Sequence, residues 1–494
     1  MLEAPILRRR GSRQVGALTV SNIIVLGAGV SGLAAGMVLC RDGHNVTILE
    51  RDPEPAPESA DEAWARWERD GVVQFRQPHF LLPRGRMLLE ELLPDVAVAI
   101  EDAGGLRFDL LSLMPPSIAD RTPRDGDERL RTLTARRPVL EHVLGRAAHA
   151  EPGLEVRRGV RVRGLRVHVH NGTPGVSGVR TDDGEDLRAD LVIDAMGRRS
   201  QLTRWLMESG IGPVIEEAEE SGFVYYTRFF RASGAGMPAF RAAIVTDIGT
   251  FSVLTLPADN CTWSITLFTS AGDQALKRLR DPDVWTAVVA ACPAHRQWLD
   301  GEPITGVLPM AGVLDRFRRL FVDGRPVATG LVAVGDAMAC TNPSGGRGMT
   351  LGLLGVQHLR DVIRSHLENP HHLAETWDAV AQAELVPWYR ETVEEDRARF
   401  AEIEALRRGA DPAPPRGPAL LRRALLAALF RDPDAFRAAL AWRGCITRLE
   451  ETLADRGFVE HILEIARGSD PPPLPGPNRA QLLSLLGGAL PRAA

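Results

Sequence analysis

Lysine is almost missing from this 494-residue chain: Lys277 stands alone, and nearly all of the 59 basic residues are arginine. Against 64 acids the formal net charge is −5, which gives no general attraction to nucleic acid or to an anionic membrane. Cysteine is scarce as well. Cys40, Cys261, Cys292, Cys340 and Cys445 lie far apart with no C-x-x-C, which argues against disulfides or a zinc site and for a reduced, cytoplasmic setting. Neither histidine pair, His168/His170 or His371/His372, has carboxylate or cysteine companions at ligand spacing, so no metal is expected. Long apolar runs are missing too. The nearest, residues 23–40, follows Arg8, Arg9 and Arg10 and imitates a signal peptide or membrane anchor. It holds Gly27, Gly29, Gly32 and Gly36, each weakening an isolated helix by roughly 1 kcal/mol, and it is at the short edge of a bilayer span, so no stable membrane insertion is expected.

What stands there instead is a nucleotide-binding pattern. Residues 22–26 form an apolar run suited to a buried parallel strand, and Gly27, Gly29 and Gly32 then fall in G-x-G-x-x-G order. Gly27 permits the tight turn, Gly29 lets a pyrophosphate approach the backbone, and Gly32 allows the helix to pack closely on the sheet. The helix is expected to end near Gly43, and a second strand, NVTILE, delivers Glu50, where a carboxylate can accept from a ribose hydroxyl. The turn residues Ala28, Val30 and Ser31, with Arg51 beside Glu50, complete this candidate dinucleotide site. The plainer alternative is a glycine-rich turn in an ordinary βαβ unit.

At this length two or three domains are expected, and 44% hydrophobic with 25% charged residues suits a soluble globular protein. The expected fold class is α/β: a Rossmann-like domain (20–70, 127–220 and 325–370) interleaved with a mixed-sheet α+β substrate domain (71–126 and 221–324), then a C-terminal helical region (371–494). Residues 1–20 read as a flexible lead-in, and 51–70, rich in proline and acid, as a surface excursion. Short alternating segments over 154–196 predict a β-meander ending in a buried strand, and strands near 223, 251 and 262 are expected to surround a helix over 282–291. The amphipathic run PALLRRALLAALFRDPDAFRAALAW reads as a membrane-surface helix, a lid or a packed bundle, with packing favoured because acids interrupt its basic face. No internal repeat is evident.

A second signature, GLVAVGDAMACTNPSGGRGMT, lies about 300 residues after the first. Residues 331–334 predict a buried strand, Gly335 and Asp336 its carboxyl end, Pro343 a stiff loop, and Gly345, Gly346 and Gly348 bare backbone before a helix starting near Met349. A nicotinamide cofactor needs no second, distant platform. A flavin does: its ribityl hydroxyls want a carboxylate such as Asp336, and its reduced ring gains from a helix start.

With these motifs in order over the first 370 residues, the sequence resembles the FAD-dependent monooxygenases of the aromatic-hydroxylase (p-hydroxybenzoate hydroxylase-like) superfamily. GAGVSG…LE resembles its dinucleotide fingerprint, VGDAMACTNPSGGRGMT its G-D motif, and RRPVLEHVL its R-x-x-L helix, which implies Arg137 near the flavin linkage. ADLVIDAMGRRS resembles its D-G motif, except that Met196 stands where the family usually has aspartate, which puts direct reduction by NADPH in doubt. GVVQFRQPHFLLPRGRMLLEELLPD and SGFVYYTRFFRA look most like the branch of polyether olefin epoxidases and natural-product tailoring oxygenases. Flavin halogenases carry a lysine near the flavin and a W-x-W-x-I-P motif, both missing here, and DNCTWSITLF is a poor match to the aromatic segment of prenyl-chain reductases.

The resemblance implies FAD, reduced by NAD(P)H directly or through a reductase partner, with one oxygen atom of O2 passing from C4a-hydroperoxyflavin to an apolar, secondary-metabolite-like substrate by epoxidation or hydroxylation. The alternative is an FAD-binding protein of the same fold without oxygenase activity, a prenyl-chain-type reductase or a flavin-dependent cyclase. No convincing catalytic base stands out. His79, Tyr225, Arg228 and Pro343 are pocket candidates, each with core packing as the default, and of the adjacent Tyr225 and Tyr226 at most one points inward.

Overall fold

The computed structural model describes residues 20–170, 172–234, 236–467 and 476–488. The three arginines at 8–10, all but one residue of the lead-in, and 468–475 of the proline-rich segment lie outside the described residues.

The apolar runs form the centre of the molecule. Ile23, Ile24, Val25 and Leu26 are each almost wholly buried, because the strand Asn22–Leu26 is paired on both sides. It lies parallel to Asn45–Glu50 and to Leu191–Asp194 in a five-stranded sheet, in the order Leu331–Ala333, Leu191–Asp194, Asn22–Leu26, Asn45–Glu50, Leu154–Arg158. The helix Val30–Arg41 ends just before Gly43, whose φ of +93° turns the chain into the second strand. It packs against the helices Arg137–Ala150 and Gly348–His366. The meander expected over 154–196 resolves into one more strand of this sheet, a three-stranded antiparallel sheet, and the buried strand Leu191–Asp194.

A second sheet is built on Phe223–Arg231, Phe251–Pro257 and Thr262–Ser270. It was expected to be mixed, but every pairing among its described strands is antiparallel. The two-residue period divides its side chains. Val224, Tyr226 and Phe230 face the helix Pro282–Ala290 and its Trp285, while Phe223 and Tyr225 face Phe268, Met310 and Ile403. A three-stranded sheet of Ile215–Glu220, Leu314–Arg319 and Ala339–Cys340 leads from the strand Leu331–Ala333 into the loop that begins at Thr341.

The C-terminal segment is helical, with Val386–Arg407 the longest helix. The amphipathic run forms two helices, Pro418–Ala428 and Pro433–Arg443, and packs: Leu425, Ala428, Ala435 and Trp442 enter the main core. Among the described residues no helix is long and apolar enough to cross a membrane.

Candidate active site

Leu26, Gly27 and Gly29 line a cavity of about 1830 Å³. Single small-molecule pockets run to ~300–1,000 Å³, so this one has room for two ligands side by side.

The three glycines of the first turn are required for three different reasons. Gly27 has φ +98°, and a Cβ there would lie 2.8 Å from the Ala195 carbonyl oxygen. A Cβ on Gly32 would lie 1.9 Å from the Gly27 oxygen, so helix and turn close only without one. Gly29 differs. Its φ of −84° suits any residue, and a Cβ would meet no protein atom within 4 Å. Nothing in the chain demands glycine at 29; the space a side chain would fill opens on the cavity, which fits a ligand held against bare backbone. Val30 and Ser31 also line the cavity, whereas Ala28, Gly32 and Gly335 stand behind its wall.

Glu50 borders the cavity but is already engaged. Its Oε2 accepts from the Ala28 N–H at 2.8 Å and from Arg69 at 2.5 Å, and its Oε1 from the Asp52 N–H at 3.0 Å. A carboxylate offers about four acceptor positions, so one remains for a ribose hydroxyl. Arg69 is a correction to the reading of 51–70 as a surface excursion: only 2% of its side chain is exposed, and it bonds Glu50, Asp52 and Glu141 together. Trp67, equally buried, holds the segment down. Arg137 reaches the same cluster through Glu141 at 2.6 Å and lines the cavity. Burial alone would raise the Glu141 carboxyl, but Arg137 and Arg69 outweigh it and hold it below its ordinary value.

His79 lines the cavity and also joins this cluster. Its Nδ1 lies 2.9 Å from the Gln77 carbonyl oxygen and its Nε2 3.0 Å from Arg137 Nη1, so a neutral ring donates to the first and accepts from the second. Burial, and then the Arg137 cation, push it down to about 3. It orients Arg137.

Across the cavity, Asp336 follows the short strand Leu331–Ala333, and Gly346, with φ +66°, turns the loop into the helix Gly348–His366. The Asp336 carboxyl accepts no hydrogen bond from the described residues, and a Cβ on Gly348 would lie 3.6 Å from its Oδ1. Burial raises its pKa, with Arg137 and Arg198 pulling the other way. An unpartnered acceptor beside bare backbone and the first turn of a 19-residue helix suits a polyhydroxylated, electron-rich ligand. Gly346, Gly348, Met349 and Pro343 line the cavity, as do Arg51 and Met196.

The lining also has apolar members, Met114, Leu256, Phe268, Phe430, Phe436 and Leu440, alongside charged ones such as Glu395, Arg422 and Arg443. Phe430, Phe436 and Leu440 come from the C-terminal run, so those helices wall the site as well as pack. Of the sheet candidates, Tyr225 is buried behind Phe268 and donates to Asn342 Oδ1 at 2.7 Å. Arg228 is a correction. It projects from the opposite face, donating to Thr286 Oγ1 at 2.9 Å beside Trp285, and does not line the cavity. Its neighbours in sequence concealed this, because strand side chains alternate and its register was not legible.

Four polar residues passed unnoticed in the sequence. Asp315 Oδ1 accepts from the Asn342 N–H at 2.6 Å, and Ser344 Oγ donates to Asp396 Oδ1 at 2.5 Å. Asn342 and Ser344 sit inside the second glycine signature, which was the available signal. Asp396, on the helix Val386–Arg407, had none.

Residues 25–82 match the family described as an NAD(P)-binding Rossmann-like domain. Protein Rv3254 of Mycobacterium tuberculosis is 28% identical over 382 residues, 69% of this chain and 73% of that protein. Among solved structures, PqsL of Pseudomonas aeruginosa, described as a probable FAD-dependent monooxygenase, superposes with a TM-score of 0.58 at 17% identity, over 79% of this chain and 98% of that one. The Diels-Alderase PyrE3 of pyrroindomycin biosynthesis gives the same TM-score at 16% identity, over 86% of this chain and 81% of that one. The chain shares its fold with both.

Proposed function

We propose that the chain is a flavin-dependent monooxygenase that binds FAD between the two glycine platforms and adds one oxygen atom of O2 to an apolar substrate held beyond it. In this reading Gly27, Gly29, Val30, Ser31 and Arg137 receive the diphosphate, Glu50 and Arg51 the adenosine end, and Asp336 with Gly346, Gly348 and Met349 the ribityl chain and ring. The observation that carries it is the single cavity running from Gly29, whose bare backbone opens on it, past the unpartnered Asp336 to a chamber with apolar lining. The Rossmann-like match over residues 25–82 supports the dinucleotide part.

Bound there, FAD supplies electron storage and oxygen activation, with NAD(P)H as the electron source: substrate, O2, NAD(P)H and a proton give oxygenated product, NAD(P)+ and water. The chain's share is placement and exclusion of water. Phe268, Phe430 and Phe436 hold an apolar molecule and keep the chamber dry, which disfavours wasteful peroxide release. The size of the chamber favours a substrate with an extended or polycyclic body. Its oxygenation is an epoxidation or a hydroxylation. The division into 20–70, 127–220 and 325–370 for the cofactor and 71–126 and 221–324 for the substrate is part of the same proposal.

Gly29→Val tests the site. The variant folds with the thermal stability of the FAD-stripped parent and loses yellow FAD on gel filtration; FAD retained as in the parent refutes the assignment. NADPH consumption by the purified chain alone separates direct reduction from delivery through a reductase.

A further inference from the structure

We infer that Ser344 and Asp396 form a proton relay opening into the substrate chamber, through which a substrate hydroxyl or enol loses its proton during oxygen transfer. The inference rests on the monooxygenase reading and supplies the base that the sequence did not reveal. The substrate O–H proton passes to Ser344 Oγ while the Ser344 hydroxyl proton passes to Asp396 Oδ1. One O–H bond breaks on the substrate, one forms on the carboxyl, and serine ends as the neutral hydroxyl it began as.

The geometry is specific. Both residues line the cavity, and Ser344 lies between Pro343 and the glycines proposed to meet the ring. Its Oγ is 2.5 Å from Asp396 Oδ1, while Asp396 Oδ2 and Asn342 Nδ2 are buried with no partner. Asp396 takes part in no ion pair among the described residues. Asp315 faces it from the strand Leu314–Arg319, Tyr225 from Phe223–Arg231, and Glu395 from its own helix. The nearby cations are committed elsewhere: Arg347 bonds Glu391 at 2.6 Å and lies 3.5 Å from Glu395, and Arg399 pairs with Asp247 and Glu402. Burial, reinforced by Asp315 and Glu395 and opposed by the Ser344 hydrogen bond and the nearby Asn342 amide, pushes the Asp396 carboxyl up to about 7. A group that exchanges its proton near neutrality is what general base catalysis requires.

The test follows the protonated-carboxyl C=O stretch by infrared difference spectroscopy, titrating the FAD-loaded chain through neutrality with and without saturating 4-nitrophenol, whose own ionisation is read by colour. The wild type shows a band that disappears near neutral pH, and bound 4-nitrophenol moves its midpoint by about one pH unit or more, since groups sharing a proton titrate as a pair. Asp396→Asn removes this band and leaves that of Asp315, which disappears about one pH unit lower. Ser344→Ala keeps the band and binds the phenol, but the midpoint no longer responds. A midpoint unmoved by bound phenol in the wild type, or moved equally in Ser344→Ala, overturns the relay. Colourless wild-type protein sinks the flavin reading instead, so the two failures are distinguishable.

Discussion

Two buried polar clusters border the same cavity and treat charge in opposite ways. Around Arg69, the carboxylates of Glu50, Asp52 and Glu141 meet two guanidiniums, with Arg137 the second. Around Asn342, the carboxyls of Asp315 and Asp396 converge with no cation bonded to either among the described residues. An acid paired with arginine stays ionised because the Coulomb attraction outweighs its lost hydration, whereas one buried with another acid is easier to protonate. Hence Glu141 is held below its ordinary value while Asp396 and Asp315 are pushed up to about 7 and about 6. In the first cluster the two arginines favour the ionised form of Glu141. The second can change its proton count near neutrality.

The comparison breaks most sharply at Arg69. Arg69→Met leaves three carboxylates with too little positive charge, and removing one partner of a buried pair costs about 3–5 kcal/mol, read as a shift in urea unfolding. A loss below ~1 kcal/mol would mean the cluster is not ionised. Asp396→Asn comes next. The folded carboxyl titrates near 7 against an unfolded value of 3.8, so between those limits the folded chain holds the extra proton and stability falls as pH rises. The group's contribution therefore declines by about 1.4 kcal/mol per pH unit across that window, and the variant loses that share of the decline while keeping the share due to Asp315, which denaturation curves at several pH values reveal. Tyr225→Phe removes the hydrogen bond to Asn342 and lowers stability by about 1 kcal/mol, measured the same way. Arg228→Met is the smallest perturbation: a loss of ~1 kcal/mol or less from its stacking on Trp285, with FAD retention and 4-nitrophenol binding unchanged. Lost cofactor there would contradict its place on the far face.

The two clusters also mark where the sequence was legible. The strand, glycine turn, helix and second strand could be read because local geometry dictates them: Gly27 by its positive φ and Gly32 by close packing. Asp336 and the loop after Pro343 were readable for the same reason, as a strand end followed by glycines. Arg69 and Asp396 were not, because each matters through partners brought close only by the fold, Glu141 72 residues away and Ser344 52 residues away. Neighbouring composition misled as well. The proline- and acid-rich stretch around Arg69 has the look of a solvated loop, and Asp396 sits in a run of charges that a solvated helix face would also show.

The helices Pro418–Ala428 and Pro433–Arg443 close the chamber that the residues near Gly27 begin. Their place late in the chain orders events during synthesis. A nascent polypeptide exposes the first glycine turn early, yet the cavity lacks this wall until those later hydrophobic surfaces leave the ribosome and dock. Prosthetic-group loading before that moment would leave a reactive molecule open to solvent, so maturation is expected to follow translation rather than accompany it.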